Sequence, residues 1–415
     1  MSYAQVWIDG TEVTNVAIEG SSTRRLNAPS VAQVKLPMDA AIGGCGSLLK
    51  VAFDGTLHFH GRVLLCETEA AEDFGYTVYN ATDPLELWKW RPVRQDTADN
   101  QGKFGNFSYP TIVKDNIYGP EIIRAMIDGS EGTDGDGSGV PPVFAEGKLF
   151  LLKGGFEAGG TDLRGAPTDF PMRMSELASL LVSTGELDIV ITPIELDGNG
   201  NYGQIDVFNG DYGNILTPTV TFDYGMGDFN IRHLRWNCDM TNMTNKLEYL
   251  IGPRKNEGHW RASITGLDPL NQWWGLCLDK FGNPLEDIRT NVLSLMGDSL
   301  TPGTSQYDYG VRMDLQEFDG RGDESMDAQC LFRMRWLMEA YLRLAPQQML
   351  HLTPTRDTAI GSFDIGDVVG VSVAAAVNGG FTDYAQRVFE YTIGWGSDSV
   401  PAIEELVTSA QSEGI

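Results

Sequence analysis

The sequence predicts a mainly β protein in which two strand-rich stretches, 1–93 and 216–400, flank a middle α/β region at 94–215 and leave a C-terminal tail at 401–415. Three observations lead there. Asp-Gly pairs sit between short apolar runs near the N-terminus, strand-like runs return after residue 216, and helical apolar spacing is confined to a few segments.

Val6-Trp7-Ile8 runs into Asp9-Gly10, with Val16-Ala17-Ile18 beyond; Leu49–Phe53 runs into Asp54-Gly55 and resumes at Leu57–His60. Both pairs are expected to reverse the chain, because Asp-Gly tolerates the positive φ angles of a two-residue hairpin turn. Gly61, Val63, Leu65 and Tyr76–Tyr79 continue the alternation, and closely spaced strands without helices indicate a small barrel or sandwich. The character changes at Asp83-Pro84-Leu85. Pro120–Ile127 reads as a helix opened by its proline and stopped by Gly129, followed by a Gly/Asp/Ser-rich loop from Asp128 to Pro142. A second helix is expected from Ser175, as N-cap, to just before Gly185, with Leu177, Leu180 and Leu181 on one face. Asp197-Gly198-Asn199-Gly200-Asn201 reads as a hairpin turn.

Beyond 216 two longer helices interrupt the strands. Pro284 opens one, with Leu285, Ile288, Val292 and Leu295 in step and Gly297 closing it; the other runs from about Ser325 to Leu344. Strands at Val368–Val377 and Phe389–Ile393 finish the reading, and no short-period repeat appears.

Composition bounds the function. The 415 residues are 42% hydrophobic and 21% charged, as in ordinary folded chains with ample core. Asp and Glu number 57 against 30 Lys and Arg, a net charge of -27 that repels phosphate and anionic lipid, so specific nucleic-acid binding is not expected. Cys45, Cys66, Cys238, Cys277 and Cys330 are odd in number and widely spaced, which fits buried free thiols made in a reducing cytoplasm rather than disulfides or zinc. The N-terminus lacks the basic and apolar regions of a secretory signal. Val368–Val377, the longest apolar stretch, is too short to span a bilayer, so no membrane anchor is expected.

Five patterns in order resemble the minor tail or hub proteins of tailed phages. They are Phe59-His60-Gly61-Arg62-Val63; Tyr79-Asn80-Ala81-Thr82-Asp83-Pro84-Leu85-Glu86-Leu87-Trp88; and Ser175–Leu181. Next come Phe222–Asn230 with Asn237-Cys238-Asp239 and Thr244–Leu247, and then the helix from about Ser325 to Leu344 followed by Pro354, Ile365–Val369 and Gln386-Arg387-Val388. The resemblance implies two related β-barrel domains of the tail-hub type, with smaller inserted α+β regions. It also implies a homotrimer at the virion tail tip, made in the host cytoplasm. Expected partners are a tail-tube or distal tail protein ring, the tape measure protein, and tip or fibre proteins. No enzyme activity, catalytic residue, cofactor or metal is expected.

Motifs that imitate chemistry are incomplete. Gly297-Asp298-Ser299-Leu300 spells an esterase nucleophile motif, but it follows a helix and none of His58, His60, His233, His259 or His351 has an Asp three residues earlier. His58 and His60 flank Phe59 and could share a metal, with Glu67 as a third ligand; two polar residues on a solvated strand face is the expectation. Asp134–Gly139 begins like a calcium loop but places Ala145 at the closing position, so the 128–142 loop is read as a loop only. Arg321-Gly322-Asp323 reads as a loop before a helix. Trp273 and Trp274 could stack on sugars, although core or interface packing suits such large apolar side chains better. A receptor- or carbohydrate-binding tail module using Trp260, Trp273, Trp274 and the 128–142 loop is therefore the alternative, with a wall hydrolase third.

Overall fold

The computed structural model describes residues 3–70, 74–93, 119–131, 148–158, 173–183, 187–213, 215–224, 230–241, 246–251, 260–265, 274–278, 313–318, 347–373, 384–396 and 399–410. The N-terminal strands are β1 (Ala4–Ile8), β2 (Thr11–Glu12), β3 (Glu19–Arg25), β4 (Val31–Pro37), β5 (Leu48–Phe53), β6 (Thr56–Ala70) and β7 (Gly75–Thr82). Then follow helix α1 (Gly119–Glu131), β8 (Leu151–Phe156), α2 (Met174–Ser183), β9 (Asp188–Pro193) and β10 (Gly203–Phe208). The remaining strands are β11 (Thr221–Tyr224), β12 (Ile231–Asp239), β13 (Lys246–Ile251), β14 (Trp260–Thr265), β15 (Trp274–Leu278), β16 (Met313–Phe318), β17 (Gln347–Pro354), β18 (Val368–Val373), β19 (Tyr384–Gly396) and β20 (Ser399–Ala410).

Mainly β structure with small helical insertions is thus what the chain adopts. The hairpins form where the Asp-Gly pairs predict them: Asp9 and Gly10 have φ of 47° and 77°, and Asp54 and Gly55 have 50° and 81°. Positive φ at both turn positions matches the turn to the twist of its strands. Asp197 also closes a hairpin, between β9 and β10, with its Oδ1 accepting the Asn199 and Asn201 N–H groups at 2.8 Å each.

Thirteen strands share one sheet, in the order β12-β17-β20-β19-β3-β4-β7-β6-β5-β1-β2, with β18 beside β19 and β11 beside β18. β3 and β19 pair antiparallel from Glu390↔Arg25 to Gly396↔Glu19, so strands from the start and the end of the chain meet in the middle of this sheet. The described pairings run in an open order from β12 to β2, and a closed barrel is not among them. Beneath lies a core including Val34, Leu36, Val51, Phe59, Phe222, Val371, Ile393 and Leu406. Two smaller sheets run β8-β10-β9 and β15-β14-β13-β16.

Several expectations shift. Val16–Ile18 lies in a turn before β3 rather than in a strand. α1 continues through Gly129 to Glu131; burial of Ile122, Ile123, Met126 and Ile127 outweighs the ~1 kcal/mol that an interior glycine costs. The start of the 128–142 loop therefore belongs to α1, and 132–142 lies outside the described residues. α2 starts one residue earlier than expected, and Ser175 sits in its first turn; the Glu176 carboxylate reaches back to the Arg173 N–H at 2.7 Å, the return half of a capping box. Phe389–Ile393 is not the last strand, because β20 follows and pairs with both β19 and β17. For three of the expected buried thiols the reading is corrected: Cys45 and Cys238 are free but exposed and Cys66 is half-buried, since they occupy a turn and strand segments with no second strand neighbour among the described residues. The helices read at Pro284–Gly297 and Ser325–Leu344 lie outside the described residues. Among the described residues no helix is long and apolar enough to cross a membrane.

Candidate functional site

The β3–β19 seam gathers the chemistry of this molecule. β3 reads Glu-Gly-Ser-Ser-Thr-Arg-Arg, a sequence with no apolar alternation, yet it is central in the sheet. It can be central because its inward groups find partners. Ser22 Oγ lies 2.8 Å from His58 Nδ1, and Thr23 Oγ1 lies 2.8 Å from Thr392 Oγ1. A buried polar atom left without such a partner would cost on the order of 1–3 kcal/mol.

The bonds continue inward. His58 Nε2 stands 3.3 Å from the Tyr391 hydroxyl, which donates to Asp364 Oδ1 at 3.1 Å, while Arg24 donates to Asp364 Oδ2 at 2.6 Å. Proton count fixes the tautomer: Tyr391 spends its proton on Asp364, so His58 donates from Nε2 and accepts the Ser22 hydroxyl at Nδ1. A neutral imidazole is therefore required. Burial, with the Arg24 cation adding to it, drives the His58 pKa down to about 3. Burial likewise lifts the Tyr391 phenol well above its ordinary value.

A second ion pair pins the middle region to this seam. Arg387, on β19, pairs with Asp188 at the start of β9, with side chains 11% and 3% exposed. The same guanidinium donates to the carbonyls of Tyr212 at 2.9 Å, Gly366 at 3.2 Å and Gly210 at 3.3 Å. Asp188 also accepts from the Tyr212 N–H at 3.1 Å and from Asn27 Nδ2 at 3.3 Å. Gly366, with φ of 84°, passes so close that a Cβ there would stand 2.5 Å from the Tyr212 carbonyl oxygen. Rings complete the joint: Phe53 packs on His58 and Trp395, His58 on Tyr391, Tyr391 on Phe363 and Phe363 on Phe222, at centroid separations of 5.1–5.9 Å.

Ser22 and His58 have the spacing of a nucleophile and its base, but Ser22 is fully buried and His58 is 8% exposed. No substrate atom can reach them, and a base with a pKa near 3 accepts no proton from serine at neutral pH. The arrangement holds β3, β6 and β19 together.

The residues singled out by sequence fall in several places. His58 and His60 do not lie on a solvated face, and this corrects the reading above. A bulge at His58, between Val51↔Phe59 and Ala52↔Leu57, breaks the alternation. Both faces of β6 are covered there, so His60 is buried too, donating from Nδ1 to the Ile194 carbonyl at 2.7 Å. Glu67 is exposed further along β6. Among the described residues no group of three His, Cys, Asp or Glu could hold a metal. Trp260 and Trp274 begin β14 and β15, while Trp273, His259, Ser299, the calcium-like run and Arg321-Gly322-Asp323 lie outside the described residues. Asp83 accepts the Ser30 N–H at 2.7 Å and the Leu85 N–H at 2.9 Å, and burial raises its pKa to about 7. Arg24, Asp364 and Asp188 were not anticipated, since single charges separated by hundreds of residues leave no local pattern.

With the seam described, the whole fold can be set beside solved structures. The chain is similar to the tail protein from Neisseria meningitidis MC58, with a TM-score of 0.53 and 10% identity over 100% of this chain and 98% of that one. It is similar also to the 43 kDa tail protein of prophage MuSo2 from Shewanella oneidensis, with a TM-score of 0.51 and 11% identity over 98% of each chain. The fold is shared with tail proteins. No protein-family model matches the sequence, and no curated protein does. The likeness is one of backbone course from end to end, carried by few identical residues.

Proposed function

We propose that this chain is a structural, non-enzymatic hub of a phage or phage-like tail tip. In this reading it is a homotrimer that closes the tail tube, and two barrel-type domains at 1–93 and 216–400 let three copies present six similar units to a sixfold tube and a threefold tip. The observation that carries it is the end-to-end fold match to two tail proteins, with neither chain leaving a large part uncovered. The seam supports it physically. β3 and β19 make the two strand-rich stretches parts of one sheet, which suits a piece that transmits load rather than one that hinges. The sealed Ser22–His58 pair fits an assembly role better than a hydrolytic one. A trimer triples the net charge of -27, and a duct lined by such a surface passes DNA without gripping phosphate. Partners would be the distal tail or tube ring, the tape measure protein and tip or fibre proteins, at the virion tail tip.

Electron microscopy tests this directly. Class averages of the purified protein are expected to show threefold symmetry, and gold-labelled antibody is expected at the tube end of tailed particles made with the tagged gene. Label along the tube or on the head, or none on purified particles, overturns the proposal.

A further inference from the structure

We infer that one end of the strands in the large sheet is a docking surface for another tail protein, one whose facing surface is apolar and basic. This rests on the hub reading above and names the patch by which a partner is held. The pairings bring the ends of six strands together there. β3 begins at Glu19 opposite Lys35 of β4, and β19 turns into β20 beside it, with Gly396 opposite both Glu19 and Ser399. β4 ends at Pro37 opposite Tyr76 of β7, and Tyr76 in turn faces Glu69 near the end of β6.

These strand ends are apolar and bare. Phe74 is 64% exposed, Val400 53% and Met38 52%, and Ile18 is exposed with them. Close contacts connect the group. The Ile18 N–H donates to the Lys35 carbonyl at 2.9 Å, the Lys35 ammonium lies 4.1 Å from the centroid of the Tyr76 ring, and that ring stacks with Phe74 at 6.5 Å. Met38 packs so closely over Gly75 that a Cβ there would stand 3.0 Å from its sulfur. The other end of β3 differs. Leu26 is buried there and the Asn27 N–H donates to the Ile189 carbonyl at 3.0 Å, so the middle region covers it. Single exposed apolar side chains are ordinary on a surface, but a group of them rimmed by polar residues marks an interaction site.

Charge selects the partner. Glu19, Asp39, Glu67 and Glu69 are exposed around these side chains, and Lys35, the base among them, is already paired with Glu19 at 3.1 Å. A second copy presenting the same end would set acids against acids, and nucleic-acid phosphate would meet the same repulsion. A protein face with apolar side chains rimmed by Lys or Arg meets neither cost. It covers Phe74 and Met38 while its cations face Glu67 and Glu69, an apolar centre with a polar rim. The occupant is therefore a different protein of the tail, basic where this chain is acidic.

The test is photo-cross-linking in assembled tails. The full chain, with p-benzoylphenylalanine in place of Phe74, is built into tailed particles and irradiated, and the joined peptides are read by mass spectrometry. The expected product joins position 74 to a different tail protein, within a segment whose Lys and Arg outnumber its acids. Competition with the wild type for incorporation into tails supplies a second readout. Phe74→Ser and Glu67→Lys are each expected to be incorporated about tenfold less than the wild type, while Phe74→Tyr, which keeps the ring, stays within about twofold. Melting of each purified variant checks its fold. A cross-link to a second copy of this chain, to DNA or to an acidic segment overturns the docking surface and leaves the hub reading standing. So does the absence of any cross-link in particles that contain the chain, or equal incorporation of all three variants. Particles that lack the chain overturn both.

Discussion

The middle and the end of the large sheet use arginine in opposite ways. At the β3–β19 seam, Arg24 and Arg387 are almost covered, and their guanidiniums are held by Asp364, Asp188 and backbone carbonyls. On β12, Arg232 and Arg235 lie exposed on a strand that is nearly all surface. The first arrangement makes charge a structural fastener, intolerant of loss. The second keeps the charges at the surface, although Arg232 Nε also donates to the Pro354 carbonyl at 2.9 Å.

The sharpest way to break this contrast is to remove the fastener. Arg387→Ala leaves the Asp188 carboxylate buried without its cation and strands the Tyr212, Gly366 and Gly210 carbonyls. A loss of about 3–5 kcal/mol is expected from urea unfolding. A loss below about 1 kcal/mol, the range of exposed pairs, would place the seam in the same class as the edge.

Acid offers a gentler probe. The His58 pKa is about 3 in the fold against 6.5 when free. The unfolded chain binds the proton more readily, so stability contributed by neutral His58 is complete above pH 6.5 and is lost as pH falls towards 3. By pH 5 the loss is about 2 kcal/mol. Asp83 acts in the other sense: its pKa rises from 3.8 to about 7, so its ionisation penalty appears as pH rises through that window and is relieved on acidification. The wild type should therefore change little between pH 7.5 and 5. His58→Asn should gain about 2 kcal/mol on the wild type over the same interval, read from paired unfolding curves. An unchanged gap between the two proteins would mean that His58 titrates normally.

The smallest effect belongs to the edge. Arg235→Ala is expected to move the stability of the chain by less than about 0.5 kcal/mol, as surface changes usually do. A larger loss would show that Arg235 is fastened within the fold.

What the sequence disclosed follows the same division. Asp9-Gly10 and Asp54-Gly55 were legible because turn chemistry is local: two adjacent residues carry the whole requirement. Val368–Val373 was legible because a strand covered on both faces is apolar throughout. β3 was opaque, since its place in the sheet depends on His58, Thr392 and Asp364, none of them near in sequence. The two histidines were misjudged for the same reason: alternation predicts which way a strand residue points, not what covers it. β20, with Pro401 inside it and Glu404-Glu405 at its middle, lacks the usual strand composition and was passed over. α1 overran its glycine because buried isoleucines outweighed a local stop signal.

The pairing of β3 with β19 also sets a timetable for synthesis. Thr23 meets Thr392, a partner 369 positions later in the chain. Translation at about 5–20 residues per second puts roughly 20–70 s between the emergence of these two strands. For that interval β4 and the hairpins can pair, but β3 keeps one flank open and Ser22, His58 and Arg24 wait for Tyr391 and Asp364. Contacts of such long range are slow to form and leave strand edges exposed meanwhile. The nascent chain is therefore most open to misassociation just before β19 arrives, and only a chain translated that far can seal its own centre.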